Sequence, residues 1–443
     1  MTATTLDPNA QQDLSVTQAL ARILTQVERL PPRPTLKKPL FEALDRVLAE
    51  TLISPLDVPP HDNSAMDGYA LDGKQLDGDG PLRFRIMGKA FAGEPWNGPI
   101  GTGQCLQITT GAVMPVGLDT VVPKEMVKVD NEEGAILVAP HTVRRGDNRR
   151  LQGEDLRQGH PALEKGQLLT PAALGLIASL GIGEVKVFDR PKVAMFSTGD
   201  EILSIGETPR TGAVYDSNRY TVMGMLRRMG CEVIDLGAIP DEPVHLKETF
   251  IRASTQADVI ITSGGVSVGE ADHTKAIMAE LGGHPQTPEA GVDFWRIAMR
   301  PGRPMAFGSI ARQALNGAVL DPSKEVLLFG LPGNPVAVMV TFMLFVRPAL
   351  QALMGQSPTH LSTSHARCAR ALKKKPGRTE YLRGVLNTDE NGVTHVNPVG
   401  NQGSGVLSSM VQAHCLIVLP PEVSSIPEGQ WVQVMPFTGF LQA

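Results

Sequence analysis

The residues best suited to chemistry in this 443-residue chain gather in loops that each follow a short apolar run. Ser197-Thr-Gly-Asp-Glu201 follows Lys192 to Phe196, Thr262-Ser-Gly-Gly-Val-Ser-Val-Gly-Glu-Ala-Asp272 follows Asp258 to Thr262, and Gly330-Leu-Pro-Gly-Asn-Pro335 follows Val326 to Phe329. Glycine lets backbone N–H groups approach an anion closely, and Ser and Thr hydroxyls add donors, so these loops suit a phosphate-bearing ligand. One such loop alone reads equally well as a tight strand-to-helix corner; three on one sheet edge do not. Acidic residues mark the same places: Asp200, Glu201, Asp241, Glu270 and Asp272 are a hard-oxygen set suited to magnesium shared with substrate phosphates. Asp241 and Asp272 also stand where they would cap helices beginning near Glu242 and at His273, and the two roles are compatible.

Two further stretches carry charge in a fixed setting. Phe294-Trp-Arg-Ile-Ala-Met-Arg-Pro-Gly-Arg-Pro304 places Arg296, Arg300 and Arg303 around two prolines, which reads either as a receptor for a tetrahedral oxyanion or as a solvated basic strand edge. Asp62-Asn-Ser-Ala-Met-Asp-Gly-Tyr69 packs two carboxylates, an amide and a hydroxyl beside Pro59 and Pro60; turn chemistry explains much of it, yet the composition is that of an active loop. The cluster Arg144, Arg145, Arg149 and Arg150 runs on into Glu154 and Asp155 and reads as a solvated face. No Gly-Lys-Ser/Thr closes a phosphate loop of the ATPase type, Gly101-Thr-Gly103 and Gly181-Ile-Gly183 lack the third glycine of a dinucleotide fingerprint, and neither His-Glu-x-x-His nor Cys-x-x-Cys occurs. ATP hydrolysis, hydride transfer and a protein-only zinc site are poor readings.

The elements that must position these loops follow from periodicity. Lys192 to Phe196, Glu232 to Leu236 and Asp258 to Thr262 read as strands, and Ser217 to Met229, Glu242 to Thr255 and His273 to Leu281 as helices between or after them. Repeated βαβ units predict an α/β multidomain protein with a central doubly wound parallel sheet, helices on both faces and the ligand at the carboxyl ends of the strands. Upstream, the pattern predicts helices over Leu14 to Arg29, Pro39 to about Glu50 and Thr170 to Leu180, with a β-rich insertion over about 51–146. Pro335 to Leu353 reads as an apolar helix. Beyond Gly355, short strands (Tyr381 to Val385, Val393 to Val396, Cys415 to Leu419, Trp431 to Val434) predict a small β-barrel. His284 to Val292 and Ser309 to Lys324 read as surface loops. The expected divisions are 14–190, 191–355 and 356–443.

With 42% hydrophobic residues, the chain can bury a sizeable core, and 45 glycines and 35 prolines imply many tight turns. A net charge of −5 with only 3 Trp, 4 Tyr and 13 Phe supplies neither a phosphate-tracking surface nor a stacking platform, so no nucleic-acid partner is expected. The longest apolar run, Val336 to Val346, falls short of the roughly 20 residues of a spanning helix, so no membrane is expected. Met1 to Asp13 has no secretory pattern and the four cysteines are scattered, which makes a reducing cytoplasm the expected compartment.

Taken together, these stretches closely resemble the molybdopterin molybdenumtransferase (MoeA) family, whose relatives include the C-terminal half of gephyrin. The carriers, in order from about residue 14 to 440, are Asp62 to Tyr69, Thr110-Gly-Ala112, Gly153-Glu-Asp155, Phe196 to Glu201, Tyr215-Asp-Ser-Asn218, Ser263 to Asp272, Gly330 to Pro335 and Gly400-Asn-Gln-Gly-Ser404. The resemblance implies a homodimer whose active site lies between subunits. It implies a reaction that takes adenylylated molybdopterin and molybdate, cleaves the pyrophosphate with Mg2+, releases AMP and leaves molybdenum on the dithiolene sulfurs, with a transient contact to the pterin adenylyltransferase that supplies the substrate. Carried over by motif, Asp67, Thr110, Asp155 and Glu201 are the expected catalytic residues and Asp241 and Asp272 the expected metal ligands. Ser263, Gly264, Gly265, Pro332, Gly333 and Pro335 are expected to cradle pterin and phosphate, and Arg300 and Arg303, with Ser404 and Arg378, to receive molybdate. Arginines at 296, 300 and 303 stand where the family often has lysines, so a planar fork replaces a point charge. The rival readings are a non-catalytic scaffold on the same fold and a transferase that handles tungstate.

Overall fold

A strand buried on both faces favours an unbroken apolar run, and Val259-Ile-Ile261 supplies it, with Thr262 and Ser263 also buried at the carboxyl end. It sits in the middle of a six-stranded sheet. In chain order the strands are β1 (Lys192–Thr198), β2 (Glu232–Ile239), β3 (Val259–Ser263), β4 (Val292–Arg296), β5 (Pro304–Gln313) and β6 (Val319–Leu331), and in space they run β2-β1-β3-β6-β5-β4. The computed structural model describes residues 13–77, 80–265, 273–282, 291–313, 318–358 and 362–442, those of 321–323 by backbone alone. These gather into two compact units, one formed by 37–44 and 48–186, the other by the preceding residues, 45–47 and everything from 187 onward.

In the larger unit, β2, β1, β3 and β6 are parallel and their connections include helices α1 (Ser217–Arg228) and α2 (Pro243–Gln256), so this half is the expected doubly wound arrangement. Phe196 and Phe250 meet edge to face at 5.0 Å between α2 and the sheet, inside a cluster that includes Leu246, Ile260, Ile277 and Leu328. Two expectations are corrected at the other edge. The sheet is mixed, because β4 and β5 pair antiparallel to their neighbours. Ser309 to Lys324, expected as a surface loop, falls largely in the two arms of the β5–β6 hairpin; Met305 to Ala311 are buried throughout, which marks a strand core rather than a loop. Of His284 to Val292, residues 284–290 lie outside the described residues, and Val292 opens β4.

Pro335–Leu353 forms the expected helix, nearly all of it buried. Pro348 has no N–H and its ring crowds the preceding turn, and the helix answers with a π turn over Phe342–Val346, where the Arg347 N–H reaches the Phe342 carbonyl. By length and composition these 19 residues would cross a membrane, but 78% of the apolar window is packed inside the fold, as in a core helix. Val16–Glu28 packs in the same unit and opens on a capping box, with the Gln18 N–H donating to Ser15 Oγ and the Ser15 N–H to Gln18 Oε1.

Five short strands near the C-terminus close into a barrel: Thr379–Thr388, Thr394–Pro398, Ser364–Cys368, Trp431–Pro436 and Cys415–Leu419, the last pairing back onto the first. Met299–Arg300 adds in parallel beside Thr379 and Glu380, which ties the arginine-bearing loop to the barrel rim.

The smaller unit is built on a six-stranded, mostly antiparallel sheet in the expected β-rich insertion, with cores around Leu106 and Val121 on one side and Phe84 and Val122 on the other. The helix expected over Pro39 to Glu50 is only a 3-10 turn, Leu40–Ala43. Asp45 then takes a left-handed conformation (φ 58°), and the Leu48 and Ala49 N–H groups donate to the Gln167 and Lys186 carbonyls, so the backbone bonds a helix needs are spent on extended neighbours.

Phe250→Ala removes a fully buried ring from the α2 side of the sheet. The expected cost is about 3–5 kcal/mol, read by denaturant titration of the full-length protein; a loss under about 1 kcal/mol would show that this packing does not hold the sheet.

Candidate functional site

Parallel register sets the site. Ser197 pairs with Ser263 and Ser263 with Leu331, so β1, β3 and β6 end level and their three loops leave together. Two glycines let these loops close up. A Cβ on Gly264 would lie 2.6 Å from the Thr198 carbonyl oxygen, and one on Gly265 would lie 2.4 Å from Thr274 Oγ1; both residues have positive φ. Asn218 then stitches the loops together, its Nδ2 donating to Ser263 Oγ at 2.8 Å and to the Gly333 carbonyl at 2.7 Å. The residue before this helix fixes Asn218 in turn: buried Asp216 caps α1 through the Arg219 N–H, accepts from Ser197 Oγ, and is paired with Arg219.

Beyond the β1 end, a Cβ on Gly199 would lie 2.5 Å from Glu201 Oε2. Asp200 Oδ1 accepts the Asp241 N–H at 3.1 Å. Asp241 does not cap α2: the residue at the cap is Glu242, no side chain caps it, and Asp241 Oδ1 is buried with no hydrogen-bond partner. Burial pushes the Asp241 carboxyl above the ordinary aspartate range, His273 opposes this, and the charges of Asp200 and Glu201 add to the rise. An orphaned carboxylate oxygen beside two more acids fits a hard cation. Among the described residues no three acidic, His or Cys side chains converge as a complete ligand set, and Asp272 and Glu270 lie outside the described residues.

A cavity of about 540 Å3 opens where these loops face the barrel. Glu201, Gly264, Gly265, Pro332 and Gly333 form one side, and Arg300, Lys373, Glu380, Arg383 and Ser404 the other. Ser263 braces the wall from behind, donating to the Pro332 carbonyl at 3.4 Å, and Pro335 opens the helix whose Val336 N–H is held by the Ser404 carbonyl at 3.0 Å.

The structure separates the three arginines. Arg300 is on the wall, its side chain 68% exposed, with Nη1 at 3.9 Å from Glu380. Arg303 and Arg296 are turned onto Asp13, and Arg378 adds its charge to the same carboxylate; none of these three lines the cavity. Arg303, Arg296 and Arg378 thus answer the charge of Asp13. The cation that sequence reasoning missed is Arg383. It is 1% exposed, and its Nε donates to Ser409 Oγ and its Nη2 to the Asn401 and Gly403 carbonyls, so a guanidinium is buried on neutral acceptors beneath the Gly400 to Ser404 loop. Burial, then the neighbouring Arg300 charge, pull it below its ordinary pKa. Its signal was the strand pattern: Tyr381-Leu-Arg-Gly-Val385 places a charge among residues otherwise suited to a barrel interior.

The smaller unit assembles its own constellation. Asp67 Oδ1 accepts from the Thr110 N–H at 2.8 Å and from Thr110 Oγ1 at 2.9 Å, and those bonds, helped by Lys124, hold its carboxyl below the ordinary range. Gly68 is required beside it because a Cβ there would sit 2.1 Å from the Val122 carbonyl oxygen. Asp155 is exposed on a loop tied to the same motif through the Gln152 N–H, which donates to Asp62 Oδ1 at 2.8 Å.

With this geometry in place, comparison with known proteins is informative. Three family models match: the MoeA N-terminal region (domain I and II) over residues 14–181, a probable molybdopterin binding domain over 194–352, and the MoeA C-terminal region (domain IV) over 365–437. A Haemophilus influenzae protein named molybdopterin molybdenumtransferase is 41% identical over 433 residues, covering 97% of this chain and 100% of its own. A Nostoc protein of the same name is 34% identical over 403 residues, covering 89% and 87%. The crystal structure of a molybdopterin biosynthesis MoeA protein from Pyrococcus horikoshii superposes with a TM-score of 0.76 at 27% identity, over 96% of this chain and 100% of that one.

The raised Asp241 carboxyl carries a pH signature. Because the folded chain binds this proton more tightly than the unfolded one, stability falls as pH climbs from the ordinary aspartate pKa through the raised folded value, and the deficit persists at neutral pH. Asp241→Asn removes the charge, so without added metal it should melt higher than the wild type at pH 7 and approach it near pH ~3.5. A variant melting lower than wild type at pH 7 would show that the carboxylate is stabilised by contacts other than those described.

Proposed function

The chain belongs to the molybdopterin molybdenumtransferase family and is an enzyme of molybdenum cofactor biosynthesis, and from that premise we propose that it inserts molybdate into adenylylated molybdopterin with Mg2+-dependent release of AMP. The observation that carries this reading is the cavity itself, which sets a glycine-lined phosphate cradle and Glu201 against a cationic barrel wall. Such a site brings an anionic pterin nucleotide and an oxyanion side by side.

In this reading the Gly264, Gly265 and Gly333 backbone accommodates phosphate where a side chain would intrude, and Pro332 stiffens the turn. Arg300, Arg383 and Lys373, with Ser404, receive molybdate; Arg383 is pre-oriented by carbonyls, so it does not need to reorganise when the anion arrives. Asp241, whose buried oxygen has no hydrogen-bond partner, holds Mg2+ with Asp272, and phosphate oxygens complete the set. When bound, that ion offsets the pyrophosphate charge. The chain contributes position and charge balance, since the dithiolene supplies the molybdenum ligands. Asp67 and Thr110, with Asp155, form the second polar constellation, which the shared-site reading would bring to a partner subunit's cavity. A homodimer, a cytoplasmic location and a transient contact with the pterin adenylyltransferase complete the proposal. The scaffold and tungstate readings are not favoured, since the relatives are named for the molybdenum transfer.

Incubated with adenylylated molybdopterin, the purified protein should release AMP only when both a divalent cation and molybdate are present; robust release with neither would sink the transferase mechanism. Light scattering should give a solution mass near twice 47.4 kDa at micromolar concentration, and a fully active monomer would remove the shared site.

A further inference from the structure

The edge strand β2 does not keep step with β1 along its whole length. Lys192 to Met195 pair residue for residue with Glu232 to Asp235, but Ser197 then lies opposite Ala238 and Thr198 opposite Ile239, so β2 carries an extra residue between these points. The surplus is taken up at Leu236-Gly237, a bulge in which Gly237 stands at φ 86°. A Cβ at Gly237 would meet nothing within 4 Å, so the glycine is needed for its backbone conformation and not for space.

The bulge decides which residue meets the loop after β1. Carried on from Thr198 and Ile239, the shifted register brings Asp241 to Asp200, and there the Asp241 N–H donates to Asp200 Oδ1 at 3.1 Å. Without the extra residue, the register of Met195 with Asp235 would bring Pro240 to Asp200, and proline has no N–H to give. The difference matters because the buried Asp241 Oδ1 has no hydrogen-bond partner. An oxygen that nothing orients directly takes its position from its backbone, and so from the strand that leads to it.

One carboxylate holds the bulge. Asp235 Oδ1 accepts the Gly237 N–H at 3.0 Å, and its two oxygens accept from Arg219 Nη1 at 2.6 and 2.7 Å. Arg219 is itself fixed, since its Nε donates to Asp216 Oδ2 at 3.0 Å and Asp216 caps α1 and accepts from Ser197 Oγ. Asp235 is therefore pinned from its buried side by a guanidinium that cannot follow it outward. We propose that Asp235 is a positioning residue that acts through the Gly237 bulge to set Asp241 for its cation. This rests on the proposed function for the presence of the cation, and adds that its ligand is aimed by a residue that does not touch it.

The test separates the bulge from the ion pair. Asp235→Asn keeps an oxygen for the Gly237 N–H but loses the charge facing Arg219, Asp235→Ala loses both, and Gly237→Val keeps the pair while opposing the bulge, because a β-branched residue is an outlier at positive φ. Mn2+ binding to each full-length variant is read from the paramagnetic signal of the free ion, beside thermal melting and the Mg2+ requirement for AMP release. Asp235→Ala and Gly237→Val should weaken Mn2+ binding and raise the Mg2+ requirement about tenfold or more, the scale at which partners that orient metal ligands act, and Asp235→Asn should restore both to within about threefold of wild type. Asp235→Asn should nevertheless melt lower than wild type, as Asp235→Ala does. A merely structural ion pair would give lowered melting in Asp235→Asn and Asp235→Ala with cation binding unmoved in every variant, and that result, or equal weakening in Asp235→Asn and Asp235→Ala, would overturn the positioning role. Asp241→Asn is the control on the underlying reading. If it leaves Mn2+ binding unchanged, the cation is not at Asp241 and both readings fall; if it weakens binding while the bulge variants do not, only the positioning role falls. Should Gly237→Val not fold, the contrast of Asp235→Ala with Asp235→Asn decides.

Discussion

The level register of three parallel strands is the constraint on which the rest depends. Ser197, Ser263 and Leu331 stand side by side across β1, β3 and β6, and from that line the chain must turn three times within a few ångströms. Crowding at this edge explains the composition of the loops more directly than ligand chemistry does. Gly264 and Gly265 are needed because Thr198 and Thr274 already fill the space. Once side chains are excluded there, backbone N–H groups and small hydroxyls are what remain to face a ligand. A backbone-lined edge is thus a by-product of closing a parallel sheet tightly, and the asparagine at 218 stabilises it by bonding two of the three loops at once.

Charge is handled by separation. The chain carries a net charge of −5, yet the barrel side of the cavity presents Arg300, Lys373 and Arg383. Arg383 is the most constrained of these: it is buried on carbonyls and a serine hydroxyl, with no carboxylate paired to it among the described residues. A buried cation on neutral dipoles is costly to desolvate, and an oxyanion would recover part of that cost by completing its charge. Asp241, beyond the β1 end, presents the reverse problem, a carboxylate oxygen without a donor beside two more acids.

The sequence made the nucleus legible because its signals are local. Strand-length apolar runs, helix spacing and glycine-rich turns identified the parallel half of the sheet, the barrel strands and the motifs of Asp67, Glu201 and Ser263. What it hid depends on distance or on competition for backbone bonds. Leu40, Ala43 and Val47 are spaced for a helix, but Leu48 and Ala49 bond to residues more than a hundred positions away, and only a 3-10 turn survives. The arm Pro304 to Gln313 is buried from Met305 to Ala311, but Ser309, Arg312 and Gln313 interrupt its apolar run and disguised its end as a loop edge. The partner of Arg303 is Asp13, which no local pattern couples to residue 303.

That last pairing also explains why arginine and lysine would not be equivalent here. A carboxylate can engage a guanidinium through two parallel N–H bonds, and Asp13 does so with Arg303 while still accepting from Arg296. An ammonium offers a point charge on a flexible stem, holds a carboxylate less directionally, and would remain easier to draw toward an anion in the cavity. Arginine at 303 together with aspartate at 13 therefore makes a directional, two-bond tie between the loop and the residue preceding Leu14. Arginine at 300, with Glu380 at 3.9 Å, leaves its fork mostly exposed. Identical side chains within one loop acquire different partners because of where a single carboxylate is anchored, and that anchor is held by the backbone bonds of Leu14 to Arg296 and Ala298 as well as by the helix cap at Ser15.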